Sequence, residues 1–340
     1  MSILGNSQGT KRTVVFAKES SFGTKAAPTG AKIMPRVETS LNTNFESYQS
    51  EEIRDDLQRS ASVIGFEKVE GDIKGELAAG QWAAFFAAAL RGSFTAQAKK
   101  PIITKTTDGT GEKNGKILIV PKTSHTSDSF TLEDVFKDIN VSRQYLGCRV
   151  SKLSLDVQPN GIASITVSFL GQRGEESTTA YFTNPTDLTQ SGKLAGVKGS
   201  LQVNKRPVGL VTAFKLDIDL GASSEPVLGA KYAPDVFIGT VAVSGSFTMY
   251  FQDKTMIDAV RNGTDLSLAL RMDAEERTDT DYLTIILPGV KVTSNELDDG
   301  AKNIMQTLNF DAFPAVWDSA SQIDNVLKVA TTMIVQDSLA

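Results

Sequence analysis

The sequence contains one pattern of elements twice, and this repetition limits the possible folds more than any other feature. A strand-like segment that begins Val-x-Gly, at residues 69–77 and again at 243–251, is followed each time by an apolar, helix-like segment. The helices are predicted at residues 78–90 and 253–260, and each closes near a glycine. Two copies of one supersecondary unit are therefore expected.

The segments on either side of this pattern also correspond. The spacing from Leu41 to Gly71 is almost the spacing from Leu216 to Gly245. Short alternating strands with Gly, Asn, Asp and Ser between them are typical of sandwiches and barrels. The chain is thus predicted to be mainly β, with two tandem β-barrel or sandwich domains, each with one flanking helix. The matching elements are strands 37–42 and 214–220 upstream, and hairpins 150–170 and 289–310 downstream, with Phe169 and Phe310 at equivalent ends.

Chance similarity between two β-rich domains is the alternative to duplication, because identity between the halves is low. The predicted division is an N-terminal arm (1–32), a first domain (33–171), a linker with a hairpin (172–207), a second domain (208–314) and a C-terminal arm (315–340).

The N-terminal arm is basic and carries one short strand-like run. It holds five basic residues against one acid, Glu19. Residues 13–16 are β-branched or aromatic and are a candidate for an added strand on a sheet edge. Whether this run and the alternating tail at 326–335 pair within the chain or with a neighbour stays open.

Charge and rare residues exclude several classes of function. A formal net charge of -5 and a pI near 5.2 disfavour a surface that grips nucleic-acid phosphates. One cysteine, Cys148, and one histidine, His125, leave neither a disulfide framework nor a Cys/His zinc site. Because His125 lies in a polar loop, a nucleophile–base pair is not expected. We therefore expect no catalytic residue, no cofactor, no metal and no enzymatic activity.

Three further patterns do not meet the requirements of a phosphate-binding loop, a calcium-binding loop or a membrane span. The glycine-rich segment 106–116 lacks the Walker pattern, since Thr110 stands where glycine is needed and Ile117 where Ser or Thr is needed. Acidic clusters at 51–56 and 273–281 lack EF-hand spacing, so solvated or interfacial faces are expected there. No stretch approaches the apolar length of a membrane span, and no membrane association is expected.

Five segments, spread over most of the chain, resemble a known family when they are taken together and in order. They are AKESSFGT (17–24), SEEIRDDLQ (50–58), VEGDIKGELAAGQWAAFFAAALRG (69–92), SFTLEDVF (129–136) and QYLGCRVSKLSLDVQPNG (144–161). This set is similar to the tail tube, or major tail, proteins of long-tailed, siphovirus-type bacteriophages. None of the five is a catalytic motif.

The resemblance implies a structural subunit that forms stacked rings around a bore, through which double-stranded DNA passes without specific binding during ejection. Strands of neighbouring subunits would join into one lining, and three two-domain chains would imitate six single domains. A hexamer of these chains is the alternative. The implied location is the virion tail, assembled in the host cytoplasm. The implied partners are other copies of the chain and the tail terminator, distal tail and tape measure proteins.

The same resemblance, with the charge pattern, gives candidate site residues. A bore that lets phosphates slide should be neutral or negative, and alternation puts Asp217 and Asp219 together on one exposed strand face. Loops at about 46–62 and 221–238, and the N- and C-terminal arms, are expected to bridge rings. The candidate residues are Glu51, Glu52, Arg54, Asp55, Asp56 and Lys231 in the loops, and Lys18, Glu19, Phe22 and Lys25 in the arm.

The alternative function is that of a β-rich, two-domain adhesin of the virion that binds carbohydrate or a receptor. Such sites depend on exposed aromatic side chains, and 7% aromatic residues with two tryptophans give this alternative little support. A hydrolase is disfavoured because no recognisable nucleophile has a histidine beside it.

Overall fold

A computed structural model describes the chain apart from residues 1–6, 54, 57, 60, 106–109, 189–190, 253, 299–302 and 318–328. The described part is mainly β, as predicted, with two α-helices and two short 3-10 helices. The elements up to β11 are η1 (Gly9–Lys11), β1 (Arg12–Lys18), β2 (Lys32–Ile33), β3 (Glu38–Thr39), β4 (Asn42–Tyr48), β5 (Val63–Glu76), α1 (Ala83–Ala89), β6 (Lys116–Ile119), β7 (Phe130–Phe136), β8 (Val141–Val157), β9 (Ser164–Gly171), β10 (Arg173–Ser177) and β11 (Thr186–Asp187).

The remaining elements repeat much of this order. They are η2 (Gly196–Lys198), β12 (Gly199–Val203), β13 (Arg206–Val208), β14 (Val211–Asp219), β15 (Ala242–Tyr250), α2 (Thr255–Asn262), β16 (Asp265–Asp273), β17 (Tyr282–Leu297), β18 (Met305–Phe313) and β19 (Ile334–Asp337).

Side-chain alternation explains why these segments form half-buried strands. In β9, Ile165, Val167 and Phe169 are buried, whereas Thr166 and Ser168 between them are partly exposed. Successive side chains of a strand point to opposite faces, so a sheet with one wet face selects this period of two.

Eight strands form a continuous antiparallel sheet, which we call the central sheet. Its order is β4-β5-β9-β8-β14-β15-β18-β17, with only the C-terminal parts of β8 and β17 taking part. The first four strands come from the first half of the chain and the last four from the second half. The two halves therefore follow one another edge to edge.

The N-terminal parts of the two long strands belong to outer ladders. In the first half, β8 pairs with β7 and β10, β7 with β1, and β1 with β2. In the second half, β17 pairs with β16 and β19, β16 with β12, and β12 with β13. The ladders thus have matching order, and β6 adds to the second one through β19.

One apolar cluster joins the outer ladders to the buried face of the central sheet, and it contains residues of both halves. Helix α1 lies in this core because its phenylalanines are apolar and face inward. The Phe85 ring centroid lies 4.9 Å from that of Phe16, 5.2 Å from that of Phe130 and 5.7 Å from that of Phe169. Aromatic pairs at these distances stabilise a core beyond their buried area.

Both helices occur, but the first differs from its prediction in length and cap. Residues 78–82 form a bridge and a turn instead of helix, because Gly80 adopts a φ of 75° and its amide is bound by the Asp337 carboxylate. The left-handed residue after α1 is Arg91, with a φ of 52°, and not Gly92. Gly263 after α2 has a φ of 60° and caps that helix as predicted.

The hairpin predicted in the linker forms between β12 and β13, where Leu201 pairs with Val208. The turn is made by Asn204 and Lys205, both with positive φ, so β12 pairs with β13 and not with β14. Two consecutive left-handed residues give the tight turn of a two-residue hairpin.

Both strand-like runs near the termini pair within the chain. Residues 13–16 lie in β1, which pairs with β7 along its length. Strand β19, the described end of the predicted tail strand, lies between β17 and β6.

Candidate assembly interface

The register of the central sheet matches one half of the chain to the other. Gly71 pairs with Phe169 across β5 and β9, and Gly245 pairs with Phe310 across β15 and β18. A β-bulge interrupts the β8–β9 and β17–β18 ladders immediately beyond the partners of Phe169 and Phe310. The predicted correspondence of these glycines and phenylalanines is therefore confirmed. Positions related in this way are called equivalent below.

The correspondence continues into the outer ladders, where the sequence interpretation missed it. Helix η1 (GTK) precedes β1, and helix η2 (GVK) precedes β12. Arg12 and Gly199 then occupy the same register position opposite β7 and β16. One repeat thus begins inside the segment predicted as an arm, and the other inside the segment predicted as a linker. In the sequence, the two Gly-x-Lys tripeptides could have indicated where each repeat begins. The domain division itself stays a prediction.

The halves meet where β8 pairs with β14. Leu153 and Leu155 of β8 lie opposite Ile218 and Leu216 of β14. All four side chains are at most 2% exposed, so the apolar core continues across this junction. Burial of four such side chains stabilises the junction by several kcal/mol, at roughly 1.5 to 3 kcal/mol each.

The candidate lumen acids lie on the exposed face of the same junction. Asp217 accepts a hydrogen bond from Ser154 Oγ at 2.5 Å and lies 3.3 Å from Lys152 Nζ, and Asp219 accepts the amide of Gly221. Acids outnumber lysines on this face of the central sheet, so it is polar and net negative. The acids are Glu70, Asp72, Glu76, Asp156, Asp217, Asp219, Glu296 and Asp311, and the lysines are Lys68, Lys74, Lys152, Lys215 and Lys291.

Each end of the central sheet is a strand edge that no other strand of the described chain pairs. Strand β4 pairs on one side with β5, and β17 beyond Lys291 pairs on one side with β18. Large apolar side chains are exposed here, Phe45 at 55% and Leu297 at 48%. The buried Oδ1 of Asn295 has no hydrogen-bond partner among the described residues. An unpaired edge of this kind is a template for a further strand.

The second of the two long loops packs onto the first half of the chain. Arg149 donates to the carbonyl of Val236 at 2.5 Å and forms an ion pair of 3.0 Å with Asp235. The carbonyl of Lys231 accepts the amide of Glu67 at 2.8 Å. The loop that contains Lys231 therefore crosses the junction between the halves.

The first long loop, at 46–62, follows β4 as the second long loop follows β14. Within one chain no other half precedes it, so it has no equivalent surface to pack against. Its candidate acids are exposed, and Arg54 lies outside the described residues. The exposed acids are Glu51, Glu52, Asp55 and Asp56.

The N-terminal motif 17–24 is held inside the chain by a buried carboxylate. Glu19 is 5% exposed, so each of its bonds replaces one to water. The donors are Ser129 Oγ at 2.6 Å, Thr131 Oγ1 at 2.9 Å, and the amides of Gly147 at 2.9 Å and Gly23 at 3.0 Å.

The other three arm candidates also have partners within the chain. Lys25 lowers the pKa of the Glu175 carboxyl through a direct hydrogen bond. The contacts are Lys18 to Asp128 at 2.8 Å, Lys25 to Glu175 at 2.7 Å, and the Phe22 ring 4.8 Å from the Arg149 guanidinium carbon.

Groups that carry chemistry are scarce in the part of the chain that the structure describes. No cluster of three or more His, Cys, Asp or Glu side chains is placed to bind a metal ion there. Cys148 is fully buried, which raises the pKa of its thiol, whereas His125 is exposed in its loop. None of the described helices has the length and apolar character needed to cross a bilayer. The unpaired strand edges are the distinctive surfaces of the molecule.

Comparison with known families agrees with this geometry. A family model described as phage tail tube protein matches residues 9–312. No curated protein sequence matches the chain at a significant level. The matched region begins at the first residue of η1 and ends within β18, so it spans both repeats. The chain therefore belongs to the phage tail tube protein family, and it is a structural component of a bacteriophage tail.

Proposed function

We propose that copies of this chain close into rings by pairing the free edge of β17 on one subunit with the free edge of β4 on the next. The observation that carries the proposal is the β8–β14 junction. It joins the last central strand of one repeat to the first central strand of the following repeat. The strands left open at the ends of the sheet, β17 and β4, are equivalent to β8 and β14. Each chain therefore contains one copy of the contact that it would make with its neighbours.

The internal junction also supplies a register. At that junction Leu155 pairs with Leu216 and Leu153 pairs with Ile218. The equivalent pairs between subunits are Leu297 with Leu41, and Asn295 with Thr43.

The direction of the backbone amides supports this register. Ser40 donates its amide to the carbonyl of Asp72 on β5. Because bonding directions alternate along an antiparallel strand, the amides of Leu41 and Thr43 point to the other side, toward the open edge. Among the described residues, the only partner of the Leu41 amide is Thr39 Oγ1, at 3.4 Å.

Head-to-tail pairing of this kind closes into a ring when the rotation between subunits divides a full turn. Each chain contributes two equivalent halves, so we propose a trimer in which six halves surround the bore. The hexamer is the competing arrangement, and it would place twelve halves in the ring.

The polar face of the central sheet would then line the bore. The acids of this face, Asp217 and Asp219 among them, outnumber its lysines. DNA phosphates would therefore meet few cationic side chains that could displace their counterions. Double-stranded DNA would slide through such a lining during ejection without specific binding.

Ring stacking would use the first long loop and the N-terminal arm, as the sequence suggested. The partners of the assembled tube would be the tail terminator, distal tail and tape measure proteins, and the tube would assemble in the host cytoplasm. Because Lys18 and Lys25 have ion-pair partners within the chain, the exposed acids of the 46–62 loop are the stronger stacking candidates.

Electron microscopy of the purified chain tests the ring, and proline substitution tests the strand pairing. Thr43→Pro removes an amide that points to the open edge, which an edge strand tolerates. We expect wild-type rings or tubes, an unchanged circular dichroism spectrum in Thr43→Pro, and loss of its assembly. Thr43→Val keeps the amide and should assemble. Monodisperse wild-type monomers, or tubes formed by Thr43→Pro, would refute the proposal.

A further inference from the structure

A groove at the start of the first repeat is filled in the second repeat, and the filled copy shows what enters it. In the second repeat the segment 194–196 runs against the β8–β9 turn. Ala163 donates its amide to Leu194 at 2.9 Å, and Gly196 donates to Gly161 at 3.0 Å. Ala195 forms a β-bridge with Ile162 between these two bonds.

This contact leaves no spare room. A Cβ added to Gly196 would lie 2.0 Å from the carbonyl oxygen of Gln158. The cavity that remains between this turn and β14 has a volume of about 60 Å³. Ala163, beneath the segment, is fully buried.

Among the described residues, the equivalent groove in the first repeat is open. Gly9 is equivalent to Gly196, and a Cβ added to Gly9 would have no described atom within 4 Å. Here the cavity has a volume of about 900 Å³. Its lining includes Arg12 and Arg36, where the filled groove has Gly199 and Val211.

The equivalent turn lies between β17 and β18, and the structure describes Asp298, Asn303 and Ile304 of it. Ile304 is equivalent to Ala163, because its carbonyl accepts the amide of Phe251 as that of Ala163 accepts the amide of Leu77. Ile304 is nevertheless 46% exposed. The groove and the turn therefore match, but they lie at opposite ends of one chain.

We propose that the segment Ser7–Gly9 of one subunit binds Asn303 and Ile304, which precede β18, in a second copy, with the Ile304 amide donating to the Ser7 carbonyl and Gln8 opposite Asn303. This inference rests on the proposed ring and identifies a second contact in the same subunit interface. Gln8 donates its amide to Asp138 Oδ2 at 2.6 Å. The proposed contact leaves this bond in place. In the filled groove the hydrogen bonds are made by the Leu194 carbonyl and the Gly196 amide, on either side of Ala195, and Ala195 is equivalent to Gln8.

Charge supports a second copy as the occupant. The open groove is lined by Arg12, which is paired with the buried Asp134, and by Arg36. The Arg36 guanidinium has no carboxylate partner among the described residues, and Asp298 after β17 is exposed. A carboxylate near Arg36 gains electrostatic attraction that the filled groove, with Val211 at the equivalent position, does not provide.

Paired cysteines test this contact directly. The Cα atoms of residues paired in this way lie about 4.5 to 5.5 Å apart, within the range that a disulfide spans. Gln8→Cys combined with Asn303→Cys should give disulfide-linked oligomers in assembled tubes, and each single variant should give none. Cys148 is buried and does not compete. The largest linked species on a non-reducing gel equals the number of subunits in the ring.

Gly9→Phe provides a second test of the contact, because the phenylalanine side chain would fill the groove. We expect an unchanged melting temperature and at least tenfold less assembled protein at equal concentration. Gly209→Phe is the matched control, since a Cβ there also meets no described atom within 4 Å, and it should assemble. Wild-type-like assembly of Gly9→Phe, or tubes of the double-cysteine variant without cross-links, would overturn the groove contact and leave the ring intact. Absence of wild-type rings would overturn the proposed function together with the groove contact.

Discussion

Single buried carboxylates connect parts of this chain that are far apart in sequence. Glu19 joins the N-terminal segment to β7 and β8, and Glu133 accepts hydrogen bonds from Ser142 and from the amides of Tyr181 and Phe182. Each carboxylate satisfies several donors that are buried or part-buried. Removing one would leave those donors buried and unpaired.

Glu19→Ala should therefore lower the free energy of unfolding by about 2 to 4 kcal/mol. Urea unfolding followed by circular dichroism measures the change. Glu38→Ala is the control, because Glu38 is exposed, and it should alter stability by less than about 0.5 kcal/mol. Equal effects of the two substitutions would contradict the assigned role of Glu19.

Asp337 should make stability depend on pH. Burial raises the pKa of its carboxyl from the usual 3.8 to about 6, although it accepts the amides of Gly80 and Leu339. The folded state therefore holds this proton more tightly than the unfolded state. Its contribution to stability is complete below pH 3.8 and is lost as pH rises to about 6, by roughly 3 kcal/mol.

Unfolding of wild type and Asp337→Asn at pH 4.5 and pH 7 isolates this contribution. Asparagine cannot ionise, so the loss of stability between the two pH values should be smaller in the variant. Identical pH profiles would show that the buried carboxyl does not titrate in this range.

At the scale of elements, the central sheet needs glycine where side chains from neighbouring strands cross. A Cβ on Gly245 of β15 would lie 2.3 Å from the carbonyl oxygen of Lys215 and 2.7 Å from the Phe310 ring. The Val-x-Gly pattern in the sequence therefore reflects close packing of three strands.

Gly245→Ala should lower the free energy of unfolding by about 1 to 3 kcal/mol, because backbone and ring must both move. Gly209→Ala has free space and should be nearly neutral. Thermal unfolding of both variants measures the difference. A neutral Gly245→Ala would mean that the two strands separate without cost.

At the scale of the whole molecule, charge is arranged by surface. The exposed face of the central sheet is net negative, and the open groove at Gly9 carries two arginines. In the proposed ring the first surface meets DNA and the second meets a neighbouring subunit.

Asp217→Lys combined with Asp219→Lys should let assembled tubes retain double-stranded DNA, because lysines in the bore release phosphate counterions. Retention should weaken steeply with salt, and filter binding at several salt concentrations measures this. Glu276→Lys with Asp279→Lys makes the same charge change on a loop outside the central sheet and serves as the control. Equal retention by both variants would place Asp217 and Asp219 away from the bore.

The sequence by itself determined the strand pattern, the repeat and the exposed position of Asp217 and Asp219. These features depend on local alternation, on glycine placement and on composition, which are read along one strand at a time. The same local signals could not place the left-handed residue at Arg91, since it depends on a backbone conformation that arginine does not require.

Only the tertiary structure decided which strand edges are satisfied within the chain. Residues 13–16 and β19 have the pattern of strands that any open edge could accept, and both are paired internally. Strands β4 and β17 have the same kind of pattern and keep an open edge. The physical reason is that backbone hydrogen bonding is nearly independent of sequence, so competition among distant edges, and not the residues of any one strand, selects the partner.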